Sequence, residues 1–414
     1  MTSSTDVTAK SQSAASGSGR RRLVGVDATR GLALVGMMAV HVLPAAAADG
    51  GATSSHAMAG GRSAATFAVL AGVGLGLLTG GSRALAGRRW GGAAAGLFVR
   101  ALAIGAIGLL LGSVDSGVAV ILAYYAVLFL IAIPLLPLRA GPLAAIGVAV
   151  AILVPFLSYG WRDDDGGLPF GGRNPSFDTL FDVPGAFPEG LLLTGYYPVL
   201  AWTSYLCVGL AAGRLNLQRR RTAAWLFGGG ATLAVTASVT SSLLLGPLDG
   251  RDRIAATVAD PSELDNALEL GLYGNTPTTT WWWLAVDAPH SSTPLDLLHT
   301  IGVALGLLGA LLLLASASRL TAVVLAPLAA AGSMTLSLYT AHVVLLSSEL
   351  LPDDRETSYV VQVCAALALA LLWRRFLGRG PLERLVAMAA SPVRRLVAGW
   401  PAAELPAASA GDRR

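Results

Sequence analysis

Long apolar stretches separated by short polar segments recur along the whole chain. Ten of these stretches are long enough to cross the roughly 30 Å hydrocarbon core of a bilayer as helices. The pattern therefore predicts an all-α fold, a polytopic membrane protein with about ten transmembrane helices. The predicted spans cover residues 23–47, 63–80, 94–113, 117–137, 142–159, 195–213, 222–246, 295–316, 321–349 and 357–377.

The composition supports a membrane protein and argues against an ordinary soluble domain. Of the 414 residues, 54% are hydrophobic and only 13% are charged, which is about half the charged share of a soluble domain. A soluble protein of this length needs far more polar surface to stay in solution.

The placement of charge predicts how the spans are oriented. If the amino terminus is cytoplasmic, 23 of the 29 basic residues fall on the cytoplasmic side of the predicted spans, whereas 20 of the 25 acidic residues fall outside. Segments rich in Lys and Arg remain in the cytoplasm. We therefore expect a multi-pass protein of the plasma (cytoplasmic) membrane with both termini cytoplasmic.

The chain divides into a membrane domain and two tails. Residues 1–19 and 400–414 hold few large apolar side chains, as in disordered segments. We expect a disordered cytoplasmic tail at 1–19, a transmembrane domain at 20–380 and a cytoplasmic C-terminal tail at 381–414. A cleavable secretory signal is the alternative for the first span, because three arginines precede its apolar run. Asp27 and Arg30 interrupt that run and favour a retained span.

The two cysteines, Cys207 and Cys364, both lie inside predicted spans. Buried cysteines in such segments are usually small hydrophobic residues rather than disulfide or metal partners. We therefore expect no metal site.

The first span contains three ionisable residues that are costly in a membrane. Arg30 enters near the predicted cytoplasmic face and His41 leaves near the outer face, about 16 Å apart along a helix. Asp27 lies one turn before Arg30, so an ion pair is the structural explanation for both. His41 is either a water-facing residue at the helix end or a group that transfers protons.

Three further histidines are candidates for function. His56 follows on the next predicted outer loop, close in sequence to His41, and imidazole suits proton transfer near neutral pH. His299 follows Asp296 by one turn, although Thr293 and Asp296 are also typical of a helix start. His342 lies midway along the ninth predicted span, where an ionisable side chain is a functional candidate.

These residues lie in motifs that resemble the heparan-alpha-glucosaminide N-acetyltransferase catalytic-domain family, in its bacterial branch of transmembrane acyltransferases. The similar segments are DATRGLALVGMMAVH (27–41), His56 to Leu77, ILAYYAVLFLIAIPLL (121–136), YYPVLAWTSYLCVGLAAGRL (196–215), LDLLHTIGVALGLLG (295–309) and GSMTLSLYTAHV (332–343). Together they touch most of the predicted membrane-embedded length.

The resemblance implies transfer of acetyl from cytosolic acetyl-CoA to an amino sugar or glycan on the far side. It assigns the active histidine to His56, as acyl acceptor or general base. The family carries Asn at the position of His41, so His41 is a second catalytic candidate in this chain. The donor's phosphates would bind Arg30, with Arg100 and Arg214 as further candidates. Trp202, His299 and His342 are candidates for acceptor binding, and no metal is required.

Two other classes of function remain open at this point. A multi-span transporter or flippase of a small solute or lipid-linked sugar fits the same apolar pattern, as does a non-catalytic protein on the same fold. The expected partners are the lipid bilayer, acetyl-CoA and an extracytoplasmic carbohydrate, with no nucleic acid. A homo-oligomer is compatible with the sequence.

Overall fold

The computed structural model describes residues 23–81, 85–162 and 169–399. Every regular element in these ranges is a helix, and one isolated bridge joins Ala46 to Ala52. The all-α prediction is confirmed. The predicted tails at 1–19 and 400–414 lie outside the described residues.

The α-helices follow one another with few long gaps. In chain order they are α1 (Val24–Val42), α2 (Ser54–Ala59), α3 (Arg62–Leu78), α4 (Gly87–Gly112), α5 (Leu122–Leu135), α6 (Ala140–Trp161), α7 (Phe177–Asp182), α8 (Phe187–Glu189), α9 (Val199–Gly213), α10 (Arg220–Leu245), α11 (Gly250–Ala255), α12 (Pro261–Glu269), α13 (Pro294–Ala317), α14 (Arg319–Val324), α15 (Ala326–Ala331), α16 (Thr335–Leu346), α17 (Arg355–Phe376) and α18 (Pro381–Ala398).

Six segments of the described chain are helical, long and apolar enough to cross a membrane: Ser54–Leu78, α4, α6, α10, α13 and α17. A seventh is the pair Phe187–Thr194 and Val199–Gly213, which is bent by 53°. A multi-pass membrane fold is thereby supported, while the count of ten spans stays a prediction. Polar residues interrupt α1, and α5 and α16 are only 14 and 12 residues long.

The ninth predicted span, 321–349, is divided in the structure. It forms three short helices, α14, α15 and α16, rather than one long helix. Pro327 sits in the first turn of α15, where it cannot continue the preceding helix. Gly332 follows, and its backbone packs directly against the carbonyl of Asp27 on α1. The break therefore brings α16 and its histidine against the first helix.

The bundle has a buried centre and an apolar rim. Almost every residue of α9 is buried, with Leu200 the exception. Helices α6, α10 and α17 instead expose large apolar side chains, including Leu157, Val235 and Leu372. Exposed apolar side chains on peripheral helices are expected where hydrocarbon replaces water as the solvent.

The segment after residue 380 contains an ordered helix. Helix α18 packs against α4, where Gly92 and Gly96 allow the side chains of Ala398 and Arg394 to approach. Glu383 in its first turn accepts hydrogen bonds from the backbone amides of Leu336 and Ser337, at 2.7 and 3.2 Å. A carboxylate at these amides stabilises the start of α16.

Close contact between α10 and α13 depends on glycine. A Cβ on Gly230 would lie 2.6 Å from the carbonyl oxygen of Gly302. Backbones packed this closely gain dispersion contacts that drive helix association in membranes. The neighbouring Gly229 has open space at the same position.

We expect Gly230→Ala to lower the thermal stability of the purified protein in detergent. The added methyl group must push α10 away from α13, which should lower the free energy of unfolding by about 1–3 kcal/mol. Gly229→Ala is the matched control and should leave the melting temperature unchanged or slightly higher, because alanine favours a helix. Equal melting curves for the two variants would show that this contact does not hold the bundle.

Candidate functional site

An open cavity of about 690 Å³ lies at one end of the bundle. It is bounded by the last turn of α1, the first turn of α3 and the loops that follow α4, α6 and α12. By the predicted orientation this end faces outwards. Its polar and aromatic lining consists of His41, Ser63, Asp115, Ser116, Tyr124, Phe170, Arg173, Asn174, Ser176, Asp178, Tyr196, Tyr197, Tyr273, His290 and Tyr339.

His41 lies between this cavity and a buried polar chain. Its Nδ1 is 3.1 Å from Nε2 of His342 on α16, and the two rings stack with centroids 5.3 Å apart. Nδ1 of His342 is 2.7 Å from Oε1 of Gln362 on α17. Nε2 of Gln362 donates to the hydroxyl of Ser358 at 3.1 Å. Two predicted site residues, His41 and His342, are thus brought together from distant parts of the sequence.

His56 is placed beside the cavity but does not line it. It lies in α2, capped by the Thr53 hydroxyl, and is only 9% exposed. Its Nε2 is 2.7 Å from the carbonyl oxygen of Leu270, so this nitrogen carries the proton and donates it. Its Nδ1 is buried without a hydrogen-bond partner in the described part of the chain.

His290 lines the cavity, although no sequence motif indicated a function for it. It stands in the loop before α13 with a positive φ of 56°, and its ring lies 4.5 Å from that of Tyr196. Burial, followed by the proximity of His56, lowers the pKa of His290 to about 3. The ring therefore remains neutral near physiological pH and acts as a hydrogen-bonding group rather than as a charge.

The tyrosines of the cavity were also missed as individual candidates. Tyr196 and Tyr197 sit at the bend before α9, and Tyr197 packs edge-on against Tyr124 at 5.4 Å. Tyr339 approaches His41 edge-on at 6.5 Å. Tyrosine presents an apolar face and a hydroxyl together, so paired tyrosines within apolar stretches were the available sequence signal.

His299 belongs to a structural junction rather than to the cavity lining. Its Nδ1 is 3.2 Å from the Ala234 carbonyl on α10, and Nε of Arg62 donates to its Nε2 at 3.1 Å. Both ring nitrogens are therefore occupied. The predicted helix start is confirmed, since the Thr293 hydroxyl accepts the amide hydrogen of Asp296 at 3.0 Å.

Two candidate arginines, Arg30 on α1 and Arg100 on α4, lie inside the bundle and do not line the cavity. Arg30 forms the predicted ion pair with Asp27, at 3.3 Å, and donates to the Leu70 carbonyl at 3.2 Å. The Arg100 guanidinium lies over the ring of Phe129, 5.8 Å from its centroid. Its Nε is buried without a hydrogen-bond partner among the described residues. Arg30 and Arg100 are therefore cationic side chains inside the helical bundle.

Arg214 donates hydrogen bonds to backbone carbonyls through both of its terminal nitrogens. The side chain, 4% exposed, donates to the carbonyl oxygens of Gly76, Thr79 and Gly81 at the end of α3 and of Leu136 at the end of α5. A cation at helix C-termini satisfies carbonyls that lack helical partners. Arg214 therefore joins the ends of α3 and α5.

Trp202 is buried and covered by other aromatic rings. It is 3% exposed and packs edge-on against Tyr197 and Tyr205, at 4.9 and 5.0 Å. Its faces are therefore not open to a sugar in this arrangement. No cluster of three His, Cys, Asp or Glu residues suited to a metal occurs within the described ranges.

The position of Arg214 predicts a loss of stability when it is replaced. Arg214→Gln should destabilise the protein by about 2–4 kcal/mol, because buried carbonyls lose charged donors. The matched control is Arg219→Gln, at an exposed arginine five residues later. Thermal unfolding in detergent measures both, and a wild-type melting temperature for Arg214→Gln would contradict the structural role.

Residues 22–245 match the protein family described as heparan-alpha-glucosaminide N-acetyltransferase, catalytic. The match covers more than half of the 414 residues and includes His41, His56 and Arg30. A search of curated proteins finds no match. The resemblance drawn from the sequence motifs is thereby confirmed, and the chain belongs to the heparan-alpha-glucosaminide N-acetyltransferase catalytic family, a family of membrane acetyltransferases.

Proposed function

We propose that the protein transfers an acetyl group from cytosolic acetyl-CoA to the amino group of an extracytoplasmic sugar, with His41 as the general base. The observation that carries this proposal is the position of His41, which lines an open cavity while its Nδ1 contacts a buried polar chain. A base needs access to the substrate on one side and support on the other.

The lining of the cavity supports a carbohydrate acceptor. Tyr196 and Tyr273 line the cavity with aromatic rings, which bind the apolar faces of sugar rings. Asp115 and Asp178 add carboxylates for hydrogen bonds to hydroxyl or amino groups. The mixture of aromatic faces and a few polar groups is typical of a small-molecule site.

The opposite end of the same helices supports binding of the donor. Arg30 precedes His41 by about 16 Å along α1, and Arg100 is a second candidate arginine, on α4. Between this end and the cavity, the hydroxyls of Thr66 and Tyr125 are buried without hydrogen-bond partners in the described chain. Such groups are costly in a membrane unless something pairs with them. The phosphates of acetyl-CoA would bind the arginines, and the amides of its pantetheine arm would pair with the hydroxyls.

The proposed transfer is a direct displacement on the thioester. The acceptor amine attacks the carbonyl carbon, a C–N bond forms, and one amine proton passes to Nε2 of His41. The C–S bond then breaks, the thiolate leaves with the bonding electrons, and His41 returns the proton to the sulfur. A thioester is activated enough for this reaction with a positioned base alone.

His41 is favoured over His56 because of their surroundings. The Nε2 of His56 is held by the Leu270 carbonyl, and His56 does not line the cavity. His56 instead lies close enough to His290 to affect its pKa. A supporting role for His56 in shaping the outer loops follows from these contacts.

A transporter or flippase is the second candidate, and one observation favours it. The segment before α9 is bent by 53° beside the cavity. Interrupted helices are common at transporter binding sites. Consumption of acetyl-CoA separates the two functions, because a transporter has no reason to consume it.

Replacement of His41 should remove acetyl transfer. The full-length protein would be reconstituted in nanodiscs with radiolabelled acetyl-CoA and D-glucosamine as the acceptor probe. His41→Gln should lower turnover by about 10²–10⁴-fold, whereas His56→Gln should retain most of it. Turnover of the wild type should fall as the pH drops, because the base must be neutral to accept a proton. An inactive His56→Gln with an active His41→Gln would move the base to His56, and full activity in both would remove histidine catalysis.

Replacement of Arg30 should weaken donor binding. Arg30→Ala should raise the Kd of acetyl-CoA about tenfold or more, since a hydrogen bond to a charged group is lost. Arg30→Lys should lose less, because a point charge remains. The exposed Arg89→Ala is the matched control. Titration calorimetry at two salt concentrations measures the effect, and an unchanged Kd in a folded Arg30→Ala variant would reduce Arg30 to the partner of Asp27.

A further inference from the structure

Three helices contribute to a polar chain that ends at His41. His342 comes from α16, and Ser358 and Gln362 come from α17. These three residues are each 3–4% exposed. All three lie beyond residues 22–245, the part of the chain that matches the family. The acetyl transfer described above assigns them no role.

The hydrogen bonds of Gln362 give this chain a direction. Its amide nitrogen donates to the Ser358 hydroxyl, so its Oε1 is the atom that faces His342. A carbonyl oxygen accepts only, and Nδ1 of His342 must therefore carry a proton. Neutral His342 then has a lone pair on Nε2, which can accept a hydrogen bond from Nδ1 of His41.

We propose that Gln362 and His342 are positioning residues that hold His41 as its Nδ1–H tautomer, with the lone pair of Nε2 directed to the cavity. This inference rests on the proposed function, in which His41 is the base. The ring that lines the cavity then presents an acceptor, which an amine proton requires. The other tautomer would present an N–H and could not act as a base.

The chemical nature of the chain suits the interior of a membrane. Every member is neutral, so the chain avoids the cost of burying a charge. When His41 takes a proton at Nε2, its Nδ1–H still donates to His342. This hydrogen bond becomes charge-assisted and therefore stronger. The proton stays on His41 and returns from there to the leaving group, so His342 orients the base without itself exchanging protons with substrate.

The reverse orientation of the Gln362 amide is the alternative arrangement. The amide nitrogen would then donate to His342, and each hydrogen bond along the chain would be inverted. Nε2 of His41 would carry a proton, and the cavity would be faced by a donor. The two arrangements differ in a measurable property, the protonation of one nitrogen.

The tautomer can be read directly by nitrogen NMR. The full-length protein, labelled with ¹⁵N-histidine, has only five histidines, and His41→Gln identifies the His41 signals. At a pH where imidazoles are neutral, we expect Nε2 of His41 at the position of an unprotonated nitrogen and Nδ1 at that of a protonated one. The opposite assignment in the wild type would overturn the proposal, whether or not any variant folds.

Variants test whether Gln362 imposes this tautomer. Carbethoxylation of His41 by diethyl pyrocarbonate, followed by peptide mass spectrometry, measures the reactivity of the free ring nitrogen. Gln362→Met should lower the rate about threefold to tenfold, the effect of losing one hydrogen bond. Gln362→Glu should retain most of the rate, because a carboxylate is also an acceptor. Cys364→Ser, at an exposed position on the same helix, should not change it.

These outcomes are separate from the fate of the proposed function. Neither measurement requires acetyl transfer, so the tautomer can be as expected in a protein that proves to be a transporter. Conversely, the wild-type protein could prove to be an active transferase while carbethoxylation of His41 in Gln362→Met proceeds at the wild-type rate. That result would overturn the positioning role alone. If Gln362→Met does not fold, Ser358→Ala serves instead, since it frees the amide to turn and should produce a smaller loss of reactivity.

Discussion

Polar groups in this bundle have little access to water, and they must find partners inside the protein. In hydrocarbon each unpaired group costs several kcal/mol. The chain meets this constraint with long side chains that reach across helices. Arg214 ties the ends of α3 and α5 through their carbonyls, and Glu383 pairs with the amides at the start of α16. These ties fix the positions of the helices that carry the candidate site.

The same constraint explains why the polar chain that ends at His41 is made from neutral groups. His290 remains neutral because burial disfavours its charged form, and His41, His342 and Gln362 satisfy one another by hydrogen bonds. The charged Arg30 lies about 16 Å from His41 along α1, and it has Asp27 as a partner. Neutral hydrogen-bonding groups and a paired cation can therefore coexist in one bundle.

The sequence predicted what depends on local pattern and failed where the answer depends on tertiary contacts. Long apolar stretches and a low content of charged residues predicted the all-α membrane fold. The one-turn spacing of Asp27 and Arg30 predicted their ion pair. The break of the ninth span was missed, because it depends on Gly332 packing against α1 as well as on Pro327. The meeting of His41 and His342, separated by 301 positions, could not be read from spacing. The surroundings of His56 likewise depend on a loop more than 200 residues away.

The two ends of the bundle also bear on the choice between group transfer and transport. Helices α3, α5 and α9 all begin near the cavity and end near Arg214. Alternating access would require these far ends to separate, and the buried guanidinium would then leave its carbonyls while still in an apolar environment. Breaking such a buried charged network is costly. The contacts of Arg214 hold these helices together at the end away from the cavity. They therefore disfavour exposure of one site to each side in turn and agree with a family of membrane acetyltransferases.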